Sequence, residues 1–310
     1  MKILVTGGAG FIGSQITDSL IESGLKVIVI DDLSTGKKNF IHPKAKFYHL
    51  DIRDTRLKSV FSEERPDVVC HQAAQTCVRK SVEDPVNDAD INIFGTLGLL
   101  KLALTHGVKK IIFSSTGGAI YGEQERFPAD EAHPTRPLSP YGITKLAAEN
   151  YLYYYHSLYD IDYVVLRYGN VYGPRQDPYG EAGVVAIFIE HMLSGKSPTI
   201  NGDGDQTRDF IYVEDVVAAN LAALKFSGSD IFNIGTGRET SVNQLFQQIA
   251  ELTKAKVEKI TGPAKKGEQR RSVISPQKAI ASLNWQPKTS LQEGLSKTIE
   301  YFSSIHKQKP

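Results

Sequence analysis

The N-terminal run Lys2-Ile-Leu-Val-Thr-Gly-Gly-Ala-Gly-Phe-Ile-Gly13 constrains the fold of this chain more than any other segment. Residues 2–6 read as a short buried strand. Ile12, Ile16 and Leu20 then recur at helical spacing, so a helix starts near Phe11. Gly7, Gly10 and Gly13 stand at and just beyond the join. Strand, glycine turn and helix in this order form the context of a dinucleotide fingerprint, spaced here G-x-x-G-x-x-G. Gly7 permits the tight turn, Gly10 lets the backbone approach a pyrophosphate, and Gly13 lets the helix pack close to the strand. The unpaired N–H groups and positive dipole end at the helix start suit the phosphates.

A second strand, 26–30, runs into Asp31 and Asp32. A carboxylate at Asp31 reaches the adenosine ribose hydroxyls and repels a 2′-phosphate, and no arginine follows it, so NAD is expected rather than NADP. Asp51, after the strand-like 47–50, either meets the adenine or caps the next helix.

Strand patterns at 2–6, 26–30, 46–49, 67–70, 110–114 and 162–168 alternate with helical ones. That alternation predicts an α/β fold with a doubly wound parallel (Rossmann) sheet. From Gly169 the rhythm changes. Gly, Pro and Asp cluster at 169–183 and 201–209, and helical patterns follow at 214–226, after Ser241 and after Ser290. These describe a smaller C-terminal α/β lobe over the carboxyl ends of the strands, where ligands bind in such sheets. The expected division is 1–168 with part of 205–235 for NAD, and 169–204 with 236–310 for substrate.

A net charge of +1 over 310 residues argues against a nucleic-acid partner held by bulk electrostatics. Two cysteines, Cys70 and Cys77, are too few for a disulfide framework. No apolar run approaches membrane-spanning length and no leader-like segment precedes the first strand, so a cytoplasmic protein without a membrane partner is expected. Nothing in the pattern calls for a metal.

Tyr141 and Lys145 lie four apart in a helical stretch, which puts both on one face. An ammonium beside a phenol favours the phenolate. Such a tyrosine takes a proton from an alcohol while a nicotinamide takes the hydride. The same stretch, 141–159, carries Tyr151, Tyr153, Tyr154, Tyr155 and Tyr159 on more than one face. With the apolar face around 91–104 it is expected to form a helical homodimer interface.

Further ordered motifs are His71-Gln-Ala-Ala74, Ser114-Ser-Thr116, Tyr141-Gly-Ile-Thr-Lys145, Arg167-Tyr-Gly-Asn-Val-Tyr-Gly-Pro-Arg175, Gly202-Asp-Gly204 and Arg208-Asp-Phe-Ile-Tyr-Val-Glu-Asp215. With the N-terminal run and Asp31-Asp-Leu-Ser-Thr-Gly36, the chain resembles the extended short-chain dehydrogenase/reductases. Within them it is similar to the UDP-glucose 4-epimerases over nearly its whole length. The resemblance implies NAD contacts from Gly7, Gly10, Phe11, Ile12 and Gly13 in the first turn. Asp31, Asp32, Ser34 and Gly36 would follow the second strand, and Asp51 and Ile52 the third. Gln72, Ala73, Ala74, Asn92, Ser114, Tyr141, Lys145 and Tyr168 complete the cofactor set.

For the chemistry, the resemblance implies that Thr116 holds a substrate hydroxyl and passes its proton to Tyr141, with Lys145 also on the nicotinamide ribose. Asn170 and Arg208 would hold a nucleotide diphosphate, a guanidinium fork being suited to two phosphates. Lys265 and Glu268 stand where relatives use Arg and Asp, so either Lys265 or Arg270 would meet the diphosphate. Ser275-Pro276 replace a further family Asp. Related 4,6-dehydratases and UDP-glucuronate decarboxylases carry carboxylates near residues 118–119, where this chain has Gly118 and Ala119. The implied reaction is therefore 4-epimerisation of a UDP-hexose through a transient 4-keto sugar. Ser272, beside the sugar C2 group, leaves space for an N-acetyl substituent. A UDP-glucuronate 4-epimerase, with Arg175 or Lys265 on the carboxylate, is the alternative, and a non-enzymatic NAD-binding regulator is disfavoured because Tyr141, Lys145 and Thr116 are all present.

Overall fold

The structure, a computed structural model, describes residues 1–179, 183–264 and 269–308. Its centre is a seven-stranded sheet whose hydrogen-bonded neighbours all run parallel. The strands are β1 (Lys2–Thr6), β2 (Lys26–Asp31), β3 (Lys46–His49), β4 (Val68–His71), β5 (Lys110–Thr116), β6 (Asp162–Tyr168) and a last strand, Asp230–Ile234. Their order is Asp230–Ile234, β6, β5, β4, β1, β2, β3. The chain reverses direction across the sheet between β1 and β4, which opens a crevice at their carboxyl ends. The predicted α/β class is the one observed. β5 runs two residues further than its apolar pattern, because Ser115 and Thr116 pair with Arg167 and Tyr168 of β6.

Both sheet faces are covered, so the central strands β1, β2 and β4 carry continuous apolar runs rather than alternating ones. Ile3, Val5 and Val29 face one layer, with Ile16 and Leu20 of helix Phe11–Glu22 and Val216, Ala219 and Ala223 of helix Val213–Lys225. Leu4, Ile28 and Ile30 face the other, with Leu57 and Phe61, Leu99 and Leu100, and Ala148 and Leu152 from three further helices. Each of the Val, Leu, Ile and Phe side chains contributes roughly 1.5–3 kcal/mol of burial. Residues 277–285 also join the first layer through Ala279, Leu283 and Trp285, whose indole Nε1 donates to Asp215 O at 2.8 Å.

The other lobe has its own core of Tyr172, Phe188, Leu245 and Leu295. It is built by helices Val184–Leu193, Val242–Thr253 and Leu291–Gln308. Ser241 is the N-cap of the second as expected, in a capping box with Gln244. Among short strands, Asn170–Tyr172 pairs with Phe210–Tyr212, and Thr207–Arg208 lies between Thr240–Ser241 and Arg271–Ser272. Among the described residues no helix is long and apolar enough to cross a membrane.

Candidate active site

The first turn is shaped as a glycine cradle. Gly7 has φ +69°, and a β-carbon there would lie 2.7 Å from Ala73 N. A β-carbon on Gly13 would lie 2.1 Å from Gly7 O, so only glycine lets the helix start so close to the strand. Gly10 is the helix N-cap and offers no side-chain cap, leaving the first N–H groups unclaimed by side chains. Phe11 and Ile12 are partly buried and pack toward the smaller lobe. Asp31 is buried, and its carboxylate accepts Ala9 N at 2.9 Å and Leu33 N at 2.8 Å, tying the glycine turn to the end of β2. Burial raises its pKa while those two N–H groups pull the other way. Asp32 accepts from Ser34 N and Oγ, and a β-carbon on Gly36 would lie 2.6 Å from Asp31 Oδ1. The donor set, cradle and acidic strand end fit a dinucleotide with free ribose hydroxyls.

Other expected cofactor residues are placed differently from one another. Asp51 is claimed by Arg53, at 2.7 Å from its N–H and 2.9 Å from Nε, which holds the carboxyl below its usual range. Ile52 is buried under Gly95. Gln72 and Ala73 continue β4, with Ala73 N donating to Thr6 Oγ1 at 3.2 Å, and Ala74 is partly buried beside them. Asn92 lies on a π-helical turn, Asp90–Gly95, and is spent within the protein: it accepts Gln75 N at 2.9 Å and donates to Gln75 O at 3.0 Å. It braces the 72–77 loop. The Tyr168 hydroxyl is in the core, accepting from Asn220 Nδ2 at 2.8 Å, and burial raises its pKa.

Tyr141 and Lys145 share one face of helix Pro140–Tyr159, whose N-cap Ser139 accepts Gly142 N. Lys145 Nζ lies 6.0 Å from the Tyr141 ring centroid and 4.7 Å from that of Phe113, and donates to Ser114 O at 2.9 Å. Burial lowers the ammonium pKa to about 8, against the opposing pull of Asp88 and Glu149. Thr116 is the polar side chain that acts on the Tyr141 phenol. The phenol pKa corrects the sequence expectation: burial first, then the Asp88 charge, raise it above the ordinary tyrosine value, with only Thr116 working downward. The lysine face is there, but on its own it does not make a phenolate.

Across from Thr116, a β-carbon built on Gly118 would lie 3.6 Å from Asn170 Oδ1 and 3.8 Å from Thr116 Oγ1. Asn170 and Thr116 thus flank one patch of small residues. Arg208 Nη1 donates to Thr207 O at 2.8 Å and Gln269 O at 2.9 Å, and Arg208 pairs in register with Ser272, which is buried. Arg270 is turned to Asp203 at 2.7 Å. Arg175 is likewise engaged, by Asp18 at 2.8 Å and Ser14 Oγ at 3.0 Å. It clasps the first helix. Lys265 and Glu268 lie outside the described residues.

Three groups near the pair were not singled out from sequence. Asp88 is fully buried beside Thr144 and Asn92. Glu149 and Arg167 form a buried ion pair at 2.6 Å. A signal existed for both carboxylates. Asp88, Asn92 and Thr96, and Tyr141, Lys145 and Glu149, are i, i+4, i+8 polar stripes in helices that otherwise pack. No cluster of His, Cys, Asp and Glu suited to a metal occurs among the described residues.

The model of the NAD dependent epimerase/dehydratase family matches residues 3–235, and the chain belongs to that family. Its NAD cofactor is therefore the one the cradle fits. The chain is similar to a UDP-glucose 4-epimerase of Thermotoga maritima solved with UDP-glucose, at 52% identity and TM-score 0.98, covering 99% of this chain and 100% of the other. It is similar to a Thermus thermophilus UDP-glucose 4-epimerase in complex with NAD, at 46% identity and TM-score 0.94, covering 98% and 99%. A UDP-glucose 4-epimerase of Mycolicibacterium smegmatis is 44% identical over 308 residues, 97% of this chain and 98% of that one.

Proposed function

We propose that this protein interconverts the C4 epimers of a UDP-hexose, UDP-glucose and UDP-galactose, through a transient 4-keto sugar. The observation that carries the reading is Lys145 Nζ 6.0 Å from the Tyr141 ring, with Thr116 acting on the phenol and the small residues Gly117, Gly118 and Ala119 following directly on Thr116. A floor without large side chains gives a keto sugar room to turn, and its lack of a carboxylate withholds the acid and base that dehydration needs. NAD, held by the Gly7–Gly13 cradle and the Asp31 strand end, would supply a hydride acceptor and donor for C4 and a positive charge in addition to that of Lys145. Tyr141 takes the C4-hydroxyl proton, directly or through Thr116, and gives it back after the sugar has turned. Thr116 fixes the oxygen that loses the proton. Lys145 supplies the positive charge that a buried phenolate requires against burial and Asp88. Asn170 and Arg208 hold the diphosphate while the hexose moves.

Ser272 is too small to shut out a C2 substituent, which supports acceptance of the N-acetylhexosamines. The engagement of Arg175 by Asp18 and Ser14 weighs against a uronate-specific enzyme. For assembly we propose a homodimer, because Phe94, Ile143, Tyr153 and Leu158 leave apolar side chains exposed on two adjoining helical segments. A monomer on gel filtration overturns that.

The test is incubation of purified protein with UDP-galactose, without added cofactor, followed by anion-exchange chromatography. UDP-glucose as product supports both epimerisation and a retained NAD. No product even with NAD supplied rejects the UDP-hexose reading. Tyr141→Phe is expected to keep bound NAD and lose most turnover; full activity in that variant refutes the role of Tyr141.

A further inference from the structure

One buried charge near the pair has no part in the chemistry above. Asp88, on the short helix Pro85–Ala89, is 0% exposed. Three neutral donors hold it: Gln75 Nε2 at 2.7 Å and Asn92 Nδ2 at 3.2 Å on Oδ1, and Thr144 Oγ1 at 2.7 Å on Oδ2. They come from three separate elements, the loop after β4, the π-helical turn and the long helix. Thr144 directly precedes Lys145, and its Oγ1 also lies 3.0 Å from Tyr141 O. The carboxylate is thus wired to the helical turn that carries the pair.

A buried ion held only by dipoles keeps its field, and its desolvation is costly unless some other group gains from it. Glu149, the other carboxylate near Lys145, is different. Arg167 grips it at 2.6 Å and 3.0 Å, which cancels most of its field at a distance. The remaining charges around Asp88 do not compensate it. His71, which faces Lys145, is kept neutral by its burial. Asp90 turns to Arg53 at 2.5 Å. Arg79 and Lys80 of the adjoining helix Val78–Glu83 are exposed. Cys77 sits at the N-cap of that helix with Lys80 N on its sulfur.

We propose that Asp88 is a positioning residue of the Tyr141–Lys145 pair: a fixed, buried counter-charge to the Lys145 ammonium, delivered through the Thr144 turn. Asp88 and Glu149 are the groups that oppose the loss of charge that burial imposes on Lys145, and Asp88 also disfavours the Tyr141 phenolate. The counter-charge keeps the lysine cationic, and it keeps the tyrosine protonated until further positive charge enters the site. The proposal rests on the Tyr141–Lys145 reading given above, but its test needs no turnover.

The experiment is a pH titration of [ε-13C]lysine-labelled protein by NMR, with the Lys145 signal assigned by its loss in Lys145→Arg. Asp88→Asn keeps the shape and removes the charge. The Lys145 midpoint is expected to fall by about 1 pH unit or more, the size of effect that a close opposite charge has. An unchanged midpoint with reduced activity means that Asp88 only packs, and the proposal fails. If Asp88→Asn does not fold, the wild-type titration decides: a Lys145 midpoint near 8 supports a counter-charge, and one below neutrality overturns it. A protein inactive toward every UDP-sugar would still give this readout, so the two readings fail separately.

Discussion

Arg167→Met tests how the site is held in place. Arg167 gives Glu149 two bonds, Nε to Oε1 at 3.0 Å and Nη2 to Oε2 at 2.6 Å, and gives the Tyr121 hydroxyl a third at 2.9 Å. Side-chain exposure is 5% for Arg167 and 3% for Glu149, so water cannot replace the lost partner. In Arg167→Met the Glu149 carboxylate keeps the Ser115 hydroxyl, at 2.5 Å, but loses its hydrogen-bonded cation. Breaking a buried pair from one side costs about 3–5 kcal/mol, against a typical total stability of about 5–15 kcal/mol. The double variant Glu149→Gln/Arg167→Met removes both charges and is expected to recover about 1–3 kcal/mol of that loss as coupling. The assay is urea unfolding at fixed, saturating NAD, followed by the fluorescence of the single tryptophan, Trp285. Ser115 precedes Thr116 on β5, so the single variant is also expected to lower kcat. A loss below about 1 kcal/mol in Arg167→Met, or additive single and double variants, refutes the reasoning.

Three other outcomes follow from particular contacts. Gly13→Ala places a β-carbon 2.1 Å from Gly7 O, where only backbone can yield. A loss of about 1–3 kcal/mol and substoichiometric NAD in the purified protein are expected, and a full NAD complement argues against the cradle. Ser272→Tyr fills the buried position beside Arg208 and is expected to abolish activity on N-acetylated UDP-sugars while sparing UDP-galactose; unchanged N-acetyl activity removes Ser272 from the sugar site. His71 is held neutral down to about 3, first by burial and then by the neighbouring Lys145 charge. The unfolded chain takes up that proton near pH 6.5, so stability falls as pH drops through the window from about 6.5 to 3, and the share lost between pH 7 and pH 5 is about 2 kcal/mol. Unfolding midpoints of wild type and His71→Asn at the two pH values check this, and equal slopes contradict it.

The fold was legible in the sequence where one local pattern has one physical solution. The turn from Gly7 to Gly13 between an apolar strand and a 3.6-residue period has no other common use. Parallel strands covered on both faces must be apolar without alternation, as β1 and β2 are. Ser241 announced a helix start because capping is settled within a few residues. Tyr141 and Lys145 were legible for the same reason: four residues on a helix fix their relation before any tertiary contact forms.

Only the tertiary structure decided what surrounds them. The sequence places an ammonium near a phenol and predicts an easier phenolate; burial and Asp88, 53 residues away in the chain, set the opposite direction. Asp88 meets Thr144, and Glu149 meets Arg167, across separations that no periodicity encodes. Arg175 was offered for a sugar carboxylate and Arg270 for the diphosphate, and the contacts with Asp18 and Asp203 were not legible in the sequence. Local geometry follows from neighbours in sequence, whereas desolvation and long-range charge depend on the whole packed molecule.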